Sequence, residues 1–191
     1  MRYQALAIVL LSARGVYCTG SEHPIYTGAS EVADSTIVGR WQGAADSVVA
    51  DSIVITRAFP DVPSNKEYLV TTYGEGTVQH DELHLTRIGG LLFADLTPSK
   101  ADERWNAISI HGILLGRKDR ERLVLHWIDA PWVQKYALTH PKEITVDSLG
   151  MWAVLTDSTS KVRAFLVNHT NPSTWSKDSV VLIRAPVPGT R

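Results

Sequence analysis

Short runs of β-forming residues recur along most of this chain, separated by turns that contain Gly, Pro or Asp. The runs span residues 47–59, 66–73, 77–88, 91–97, 105–115, 121–128, 150–156 and 178–185. Strands that are this short and this closely spaced favour a barrel or a sandwich over a sheet with alternating helices. The sequence therefore predicts a mainly β fold, built as an antiparallel β-barrel or sandwich.

The clearest pair of predicted strands is a hairpin between residues 105–115 and 121–128. With its turn at Lys118-Asp119, the facing pairs are Ile110 with Trp127, Gly112 with Leu125, and Leu114 with Leu123. This register gathers the large apolar side chains on one face, which is the alternation of a half-buried antiparallel pair. We expect that face to lie on the core.

Two segments in the C-terminal half have helical periodicity instead. The first follows Asp129, spans residues 131–137 with a proline in its first turn, and ends before Pro141. The second has Asp157 and Ser158 as capping candidates. Its apolar positions are spaced i, i+3, i+4 and i+7 at Val162, Phe165, Leu166 and His169. Each helix has one apolar stripe, so we expect both to pack against the sheet.

Histidines supply the candidates for metal binding or proton transfer. In the hairpin register above, His111 and His126 are direct neighbours with Cβ atoms about 5 Å apart. A metal site would need a third ligand, which the sequence does not reveal. His80 and His84 lie on a strand pattern, where residues four apart are ~13 Å from each other and cannot share one ion. We predict a solvated face there.

The N-terminus has the layout of a secretory leader. Arg2 is followed by an apolar run from residue 5 to residue 11 and then by small residues, which predicts a signal peptide over 1–17. Cys18, the single cysteine, is a candidate for lipidation, although Gly15 and Tyr17 depart from the usual lipoprotein motif. Residues 18–35, rich in Ser, Thr and Gly, are expected to form a flexible spacer before one β-rich domain over 36–191.

Charge and motif content exclude several functions. The 19 basic and 20 acidic residues leave a net charge of -1 without a basic stripe, so we expect no nucleic-acid partner. The sequence contains no Gly-x-Ser-x-Gly elbow, phosphate loop, dinucleotide fingerprint or Cys-x-x-Cys pair. We therefore expect no cofactor and favour a non-enzymatic role.

Six tryptophans against three phenylalanines make the chain rich in indole rings. Tryptophan fills large volumes and offers an N–H to a ligand or to a backbone carbonyl. Trp127 and Trp132 flank a strand-to-helix junction, where they would share a wall. Together with Trp41 they are candidates for a ligand pocket, with core packing as the alternative.

Gly39-Arg40-Trp41 resembles the Gly-x-Trp opening of lipocalin-like (calycin) barrels. The resemblance implies a closed antiparallel barrel that binds a small apolar ligand. It also implies a late arginine that covers the tryptophan, and Arg184 is the residue that would do so here.

A broader stretch resembles a family of bacterial exported proteins that are often lipoproteins. Its residues are Ser109 to His111, Arg122 to Asp129, Trp132-Val133 and the helix at 157–169, and the likeness covers most of 36–185. This resemblance implies export and a β-rich fold, and it brings no catalytic residues.

Three functions are compatible with these patterns. The leading hypothesis is an exported domain, in the periplasm, the cell envelope or outside the cell, that binds a small apolar ligand; a lipid on Cys18 would be its membrane anchor. The first alternative is a hydrolase or metal-dependent enzyme that uses His111 and His126. The second is a protein-interaction or assembly factor of the envelope that uses an exposed strand edge or tryptophan patch.

Overall fold

A computed structural model of the chain describes residues 18–44, 52–74, 77–99, 109–149, 152–169 and 175–186, so the leader predicted over 1–17 lies outside the described residues. The strands are β1 Cys18–Ser21, β2 Gly39–Gly43, β3 Ser52–Arg57, β4 Glu67–Gly74, β5 Thr77–Ile88, β6 Leu91–Pro98, β7 His111–Asp119, β8 Arg122–Ile128, β9 Val146–Leu149, β10 Trp152–Leu155 and β11 Trp175–Arg184. The helices are a 3₁₀ helix Ser35–Ile37, α1 Ala130–Thr139 and α2 Thr159–Asn168.

Eight of the described strands close into an antiparallel barrel. The hydrogen-bonded order is β6-β5-β4-β3-β2-β11-β8-β7, and β7 pairs with β6 to complete the ring. Closure removes the free edges that an open sheet would expose. The predicted β-barrel is therefore confirmed, with α1 and α2 in the C-terminal half as expected.

Three further strands extend the sheet from the barrel wall. β1 pairs antiparallel with β7 and parallel with β10, which in turn pairs antiparallel with β9. β1 and β9 were not predicted, because each has only four residues and lacks a clear apolar alternation. No helix of the described residues is long and apolar enough to cross a membrane.

The strand alternation divides the apolar side chains between two cores. On β5, Leu83 and Leu85 point into the barrel, while His80, Glu82 and His84 point out, as predicted. The outer face is not solvated throughout, however, because Tyr26 and Glu31 cover His84. The second core lies outside the wall, where α1 and α2 cover outward-facing Phe93 and Ile113. The two short helices thus pack on the sheet, as their apolar stripes indicated.

The hairpin β7–β8 has a different register from the predicted one. Leu114 lies opposite Trp127, and the turn falls at Arg120-Glu121, where Arg120 has φ 48°. A two-residue turn lets β7 continue to Asp119, which then faces Arg122 with the opposite charge. The slip is four residues, an even number, so every side chain keeps its predicted face.

Residues 18–35 do not form the flexible spacer that we expected. β1 is buried along its whole length, and Ile25 is fully buried. The backbone N–H groups of Ile25 and Val32 donate to the Asp95 carboxylate at 2.8 Å and to the Leu85 carbonyl at 2.9 Å. These partners are distant in sequence, so the Ser, Thr and Gly composition alone could not reveal them.

Candidate ligand site inside the barrel

Contacts around Trp41 cover one side of the barrel end that carries the β7–β8 turn, next to β2 and β11. Ile37 of the 3₁₀ helix is buried in the barrel core, and its carbonyl accepts a hydrogen bond from Trp41 Nε1 at 2.8 Å. The Arg184 guanidinium lies 4.5 Å from the centre of the Trp41 ring. Arg184 therefore covers Trp41, as the resemblance to lipocalin-like barrels implied.

The glycine before this tryptophan is required by the same contacts. Gly39 has φ +142°, and a Cβ atom built there would lie 2.5 Å from Arg184 Nη1. Arg184 Nη1 donates at 3.0 Å to the carbonyl of Val38, which fixes the guanidinium in that space. The glycine of the Gly-x-Trp pattern thus has a local physical cause: its positive φ disfavours any L side chain, and a Cβ atom there would also push against the arginine.

The barrel interior contains a cavity of about 60 Å³. Its walls are aliphatic apart from Gly116 and Lys118. The lining residues are Ile37, Ile53, Ile55, Val70, Leu83, Leu85, Leu92, Ala94, Leu96, Leu114, Gly116, Lys118, Leu123, Leu125 and Leu182. They come from the 3₁₀ helix and seven strands, all at inward positions of the alternation.

Solvent reaches this cavity beside β6, β7 and β8. Leu92, Gly116, Lys118 and Leu125 point inward yet are only partly buried, whereas Leu114 and Leu123 are buried. The mouth of the cavity therefore lies at the same end of the barrel as Trp41 and Arg184, on the side formed by β6, β7 and β8. Lys118 is the one ionisable side chain among the described lining residues.

The predicted pocket residues lie near the cavity without lining it. Trp41 and Trp127 are buried inside the barrel, and Arg184 covers Trp41, but the walls are formed by smaller aliphatic side chains. Trp132 lies outside the barrel on α1, where its ring stacks on Tyr136 and Phe165. The analysis of the sequence did not identify the aliphatic residues that line the cavity. The signal for them was the apolar alternation, which marks the inward positions of each strand.

Two polar atoms inside the barrel have no hydrogen-bond partner among the described residues. They are Trp127 Nε1 and Thr72 Oγ1, both on inward positions. The Trp127 ring packs edge-on against Trp152 at 6.3 Å, so its indole is held by apolar contacts alone. Trp127 therefore acts as core packing in this structure.

The predicted pair of His111 and His126 is not formed. His126 lies opposite Leu115, four residues along β7 from His111, a separation of ~13 Å. His111 Nδ1 instead lies 2.7 Å from Oδ1 of Asp95, which is fully buried. No group of three potential metal ligands occurs among the described residues.

A second ion pair lies on the same outer face. His84 Nδ1 is 2.6 Å from Glu31 Oε1, and its ring stacks on Tyr26 at 4.0 Å. Burial and then the carboxylates of Asp95 and Glu31 raise the pKa of Tyr26 to about 12. The contact of His84 with Glu31 and the hydrogen bond from Ile25 N–H to Asp95 hold residues 22–34 on β5 and β6, which is a structural role.

Cys18, the lipidation candidate, faces the same interior as Trp127. It is 3% exposed, and burial raises the pKa of its thiol to about 12. A thiol with these properties is poorly nucleophilic. A lipid on this sulfur would require the residue to leave its place in β1.

Comparisons with known proteins found no relative of this chain. No family model matches the chain, and neither the curated proteins nor the solved structures include a significant match to it. The class is therefore defined by the fold alone: a closed antiparallel barrel of eight described strands, covered by two helices.

Proposed function

We propose that this chain is a non-enzymatic binding domain that takes a small apolar ligand into its barrel. The observation that carries the proposal is the cavity, whose walls are aliphatic from the 3₁₀ helix to the mouth. Filling an apolar cavity with apolar atoms is favourable, because the lining side chains gain contact partners and apolar ligand surface leaves water. A catalytic role has no comparable support, since the His111 and His126 pairing is absent.

The size of the cavity limits which ligands can enter it. An apolar cavity of ~150 Å³ admits a benzene ring, whereas this one measures about 60 Å³. A slender alkyl end is therefore the occupant that the space favours. A ring would require the side chains at the mouth, Leu92 and Leu125, to move.

We further propose that the domain acts outside the cytoplasm, in the periplasm, the cell envelope or the surrounding medium. The charged and then apolar pattern of the first residues supports export. The burial of Cys18 favours an unmodified thiol over a lipid anchor at that position. The intact mass of the protein recovered from each cell fraction tests both points, because an acylated Cys18 would add several hundred daltons.

A matched pair of glycine variants tests the ligand site. A Cβ atom at Gly116 would lie 3.8 Å from its nearest neighbour, so Gly116→Ala adds a methyl group to the lining without a clash. Gly28→Ala is the control, because a Cβ atom at Gly28 meets nothing within 4 Å. With 1-octanol as probe, we expect Gly116→Ala to weaken binding about fourfold, as displacing one buried methylene costs about 0.8 kcal/mol.

Methyl NMR follows this binding directly. Octanol should shift the methyl resonances of Ile53 and Leu114, which line the cavity, and leave those of Ile144 and Leu155, which belong to the outer core. Shifts confined to the outer core, or equal affinities in the two glycine variants, would contradict a ligand site inside the barrel.

A further inference from the structure

The connection between β3 and β4 displays apolar side chains at one end of the barrel. It spans residues 58–66, and within it Phe59 is 52% exposed and Val62 is 46% exposed. The backbone N–H of Val62 donates at 3.1 Å to the carbonyl of Phe59. Pro60 and Pro63 are exposed as well and restrict the backbone of the loop. Phe59 and Val62 are therefore presented to solvent by a loop of defined shape.

The strand pairings place this loop at the same barrel end as the β7–β8 turn. All pairings from β3 to β8 through β4, β5, β6 and β7 are antiparallel, so the β3–β4 loop, the β5–β6 turn and the β7–β8 turn leave the barrel together. In the ring, two strands separate the β3–β4 loop from the β7–β8 turn on either side. We call this end the loop rim and define it as residues 57–67, 87–92 and 117–122.

The loop rim is positively charged, although the whole chain has a net charge of -1. It contains seven basic and four acidic residues, which gives it a net charge of +3. The basic residues are Arg57, Lys66, Arg87, Arg117, Lys118, Arg120 and Arg122, and the acidic residues are Asp61, Glu67, Asp119 and Glu121. Within the described part of the chain, no carboxylate forms a salt bridge with any of these seven basic side chains. Their positive potential is therefore available to an external anionic partner.

We infer that the loop rim docks on an anionic lipid bilayer, with Phe59 and Val62 inserted among the head groups and the basic side chains against the lipid phosphates. The inference goes beyond the proposed function, because it does not depend on a ligand inside the barrel. Burial of apolar surface and attraction to anionic lipids act together when a protein binds at a membrane surface. A protein partner fits this end less well, because the core of a protein interface is depleted of charged residues.

Vesicle binding tests the requirement for anionic lipid. The full chain is mixed with phosphatidylcholine vesicles, prepared with or without about one third phosphatidylglycerol, and the bound fraction is measured by flotation. We expect binding to the anionic vesicles to be at least tenfold tighter, and we expect this difference to disappear in high salt, which screens the attraction. Equal binding to the two kinds of vesicle, or binding to neither, would overturn the proposal.

Val62→Ser and Val78→Ser form a matched pair that tests the apolar contact. Val62 and Val78 are 46% and 55% exposed, but Val78 lies opposite Tyr73, at the other end of the barrel. We expect Val62→Ser to weaken binding to the anionic vesicles at least threefold and Val78→Ser to change it less than twofold. Phe59→Ser should weaken binding at least tenfold, because phenylalanine buries more apolar surface than valine does.

A second pair of variants separates the loop rim from the net charge of the chain. Arg117→Gln with Arg120→Gln removes two exposed charges from the rim, whereas Lys135→Gln with Lys142→Gln removes two exposed charges at α1 and just after it. We expect the arginine pair to weaken binding to the anionic vesicles about 25-fold, or about fivefold for each basic residue, and the lysine pair to weaken it less than threefold. Equal losses would show that only the net charge matters and would overturn the docking surface.

Methyl NMR locates the contact directly. The apolar run over residues 5–11 is present in every variant, so its own affinity for lipid cancels in the comparisons above. On anionic bilayer nanodiscs that contain a lipid with a gadolinium chelate, we expect the methyl resonances of Val62 to broaden and those of Val78 to stay sharp. Broadening at Val78 without broadening at Val62 would overturn the proposal. A dimer formed through Phe59 in place of vesicle binding would also overturn it, because the occupant would then be a second copy of the chain.

Discussion

Two buried threonine hydroxyls differ in whether they form hydrogen bonds. Thr72 and Thr86 are both buried threonines of the barrel wall. The Thr86 hydroxyl bonds to the backbone and side chain of Ser30 and accepts from Arg163, whereas the Thr72 hydroxyl has no partner among the described residues. An unpaired buried hydroxyl lowers stability relative to an apolar group of the same shape.

The same substitution at these two sites should therefore have opposite effects. We expect Thr72→Val to raise the free energy of unfolding by about 1 kcal/mol and Thr86→Val to lower it by about 1–2 kcal/mol. Urea denaturation at neutral pH measures both values. A loss at Thr72 as large as that at Thr86 would mean that the Thr72 hydroxyl is satisfied by a bound water.

Cys18 makes stability depend on pH in the alkaline range. The pKa of its thiol is raised by burial from the ordinary value of 9.0 to about 12 in the folded protein. Between these values the unfolded chain releases a proton that the folded chain retains. The stability supplied by the neutral thiol is therefore complete below pH 9 and is lost as the pH rises towards 12.

The variant Cys18→Ala isolates this contribution. We expect the free energy of unfolding of the wild type to fall between pH 9 and pH 11 more steeply than that of the variant, by up to about 1.4 kcal/mol per pH unit. Other titrating groups, Tyr26 included, are common to both proteins and cancel in the comparison. Parallel pH profiles would show that the Cys18 thiol is open to solvent.

At the scale of elements, the β7–β8 hairpin shows what a sequence pattern can and cannot specify. The alternation of Leu114, Leu123, Leu125 and Trp127 correctly predicted the strands and their inward face. It could not set the register, since a slip of four residues preserves every face. The observed pairing places the turn at Arg120-Glu121 and brings Asp119 opposite Arg122.

The register of the β7–β8 hairpin also sets the distance between His111 and His126. In the observed register His111 lies four residues along β7 from the partner of His126, and it contacts Asp95 on β6 instead, a residue that no sequence pattern singled out. Asp95 lies on the outward face of β6, where it would be exposed in a bare barrel. It is buried only because residues 22–34 cover that face.

At the scale of the whole molecule, residues 18–35 join the two cores. Cys18 packs in the barrel core, while Ile25 packs in the outer core with α1 and α2. Between them, β1 connects the barrel wall at β7 to the added strand β10. The folded unit therefore includes residues 18–35, which lie before the domain boundary at residue 36 that composition indicated.

Truncation tests this boundary. A chain that starts at Cys18 should unfold in one cooperative transition. A chain that starts at residue 36 should be several kcal/mol less stable, because burying each large aliphatic side chain such as Ile25 contributes about 1.5–3 kcal/mol. Urea denaturation of both chains, followed by tryptophan fluorescence, gives the difference. Equal midpoints would show that residues 18–35 add nothing to the fold.

The sequence by itself determined the fold class, the two C-terminal helices, the inward faces of the main strands and the contact between Trp41 and Arg184. The first three features follow from local periodicity. The contact of Trp41 with Arg184 follows from the resemblance of Gly39-Arg40-Trp41 to the Gly-x-Trp opening. The tertiary structure alone decided the hairpin register, the burial of Cys18 and Asp95, and the position of Lys118 at the cavity mouth. Each of these depends on which distant segments meet, and long-range pairing is selected by the packing of the closed barrel as a whole.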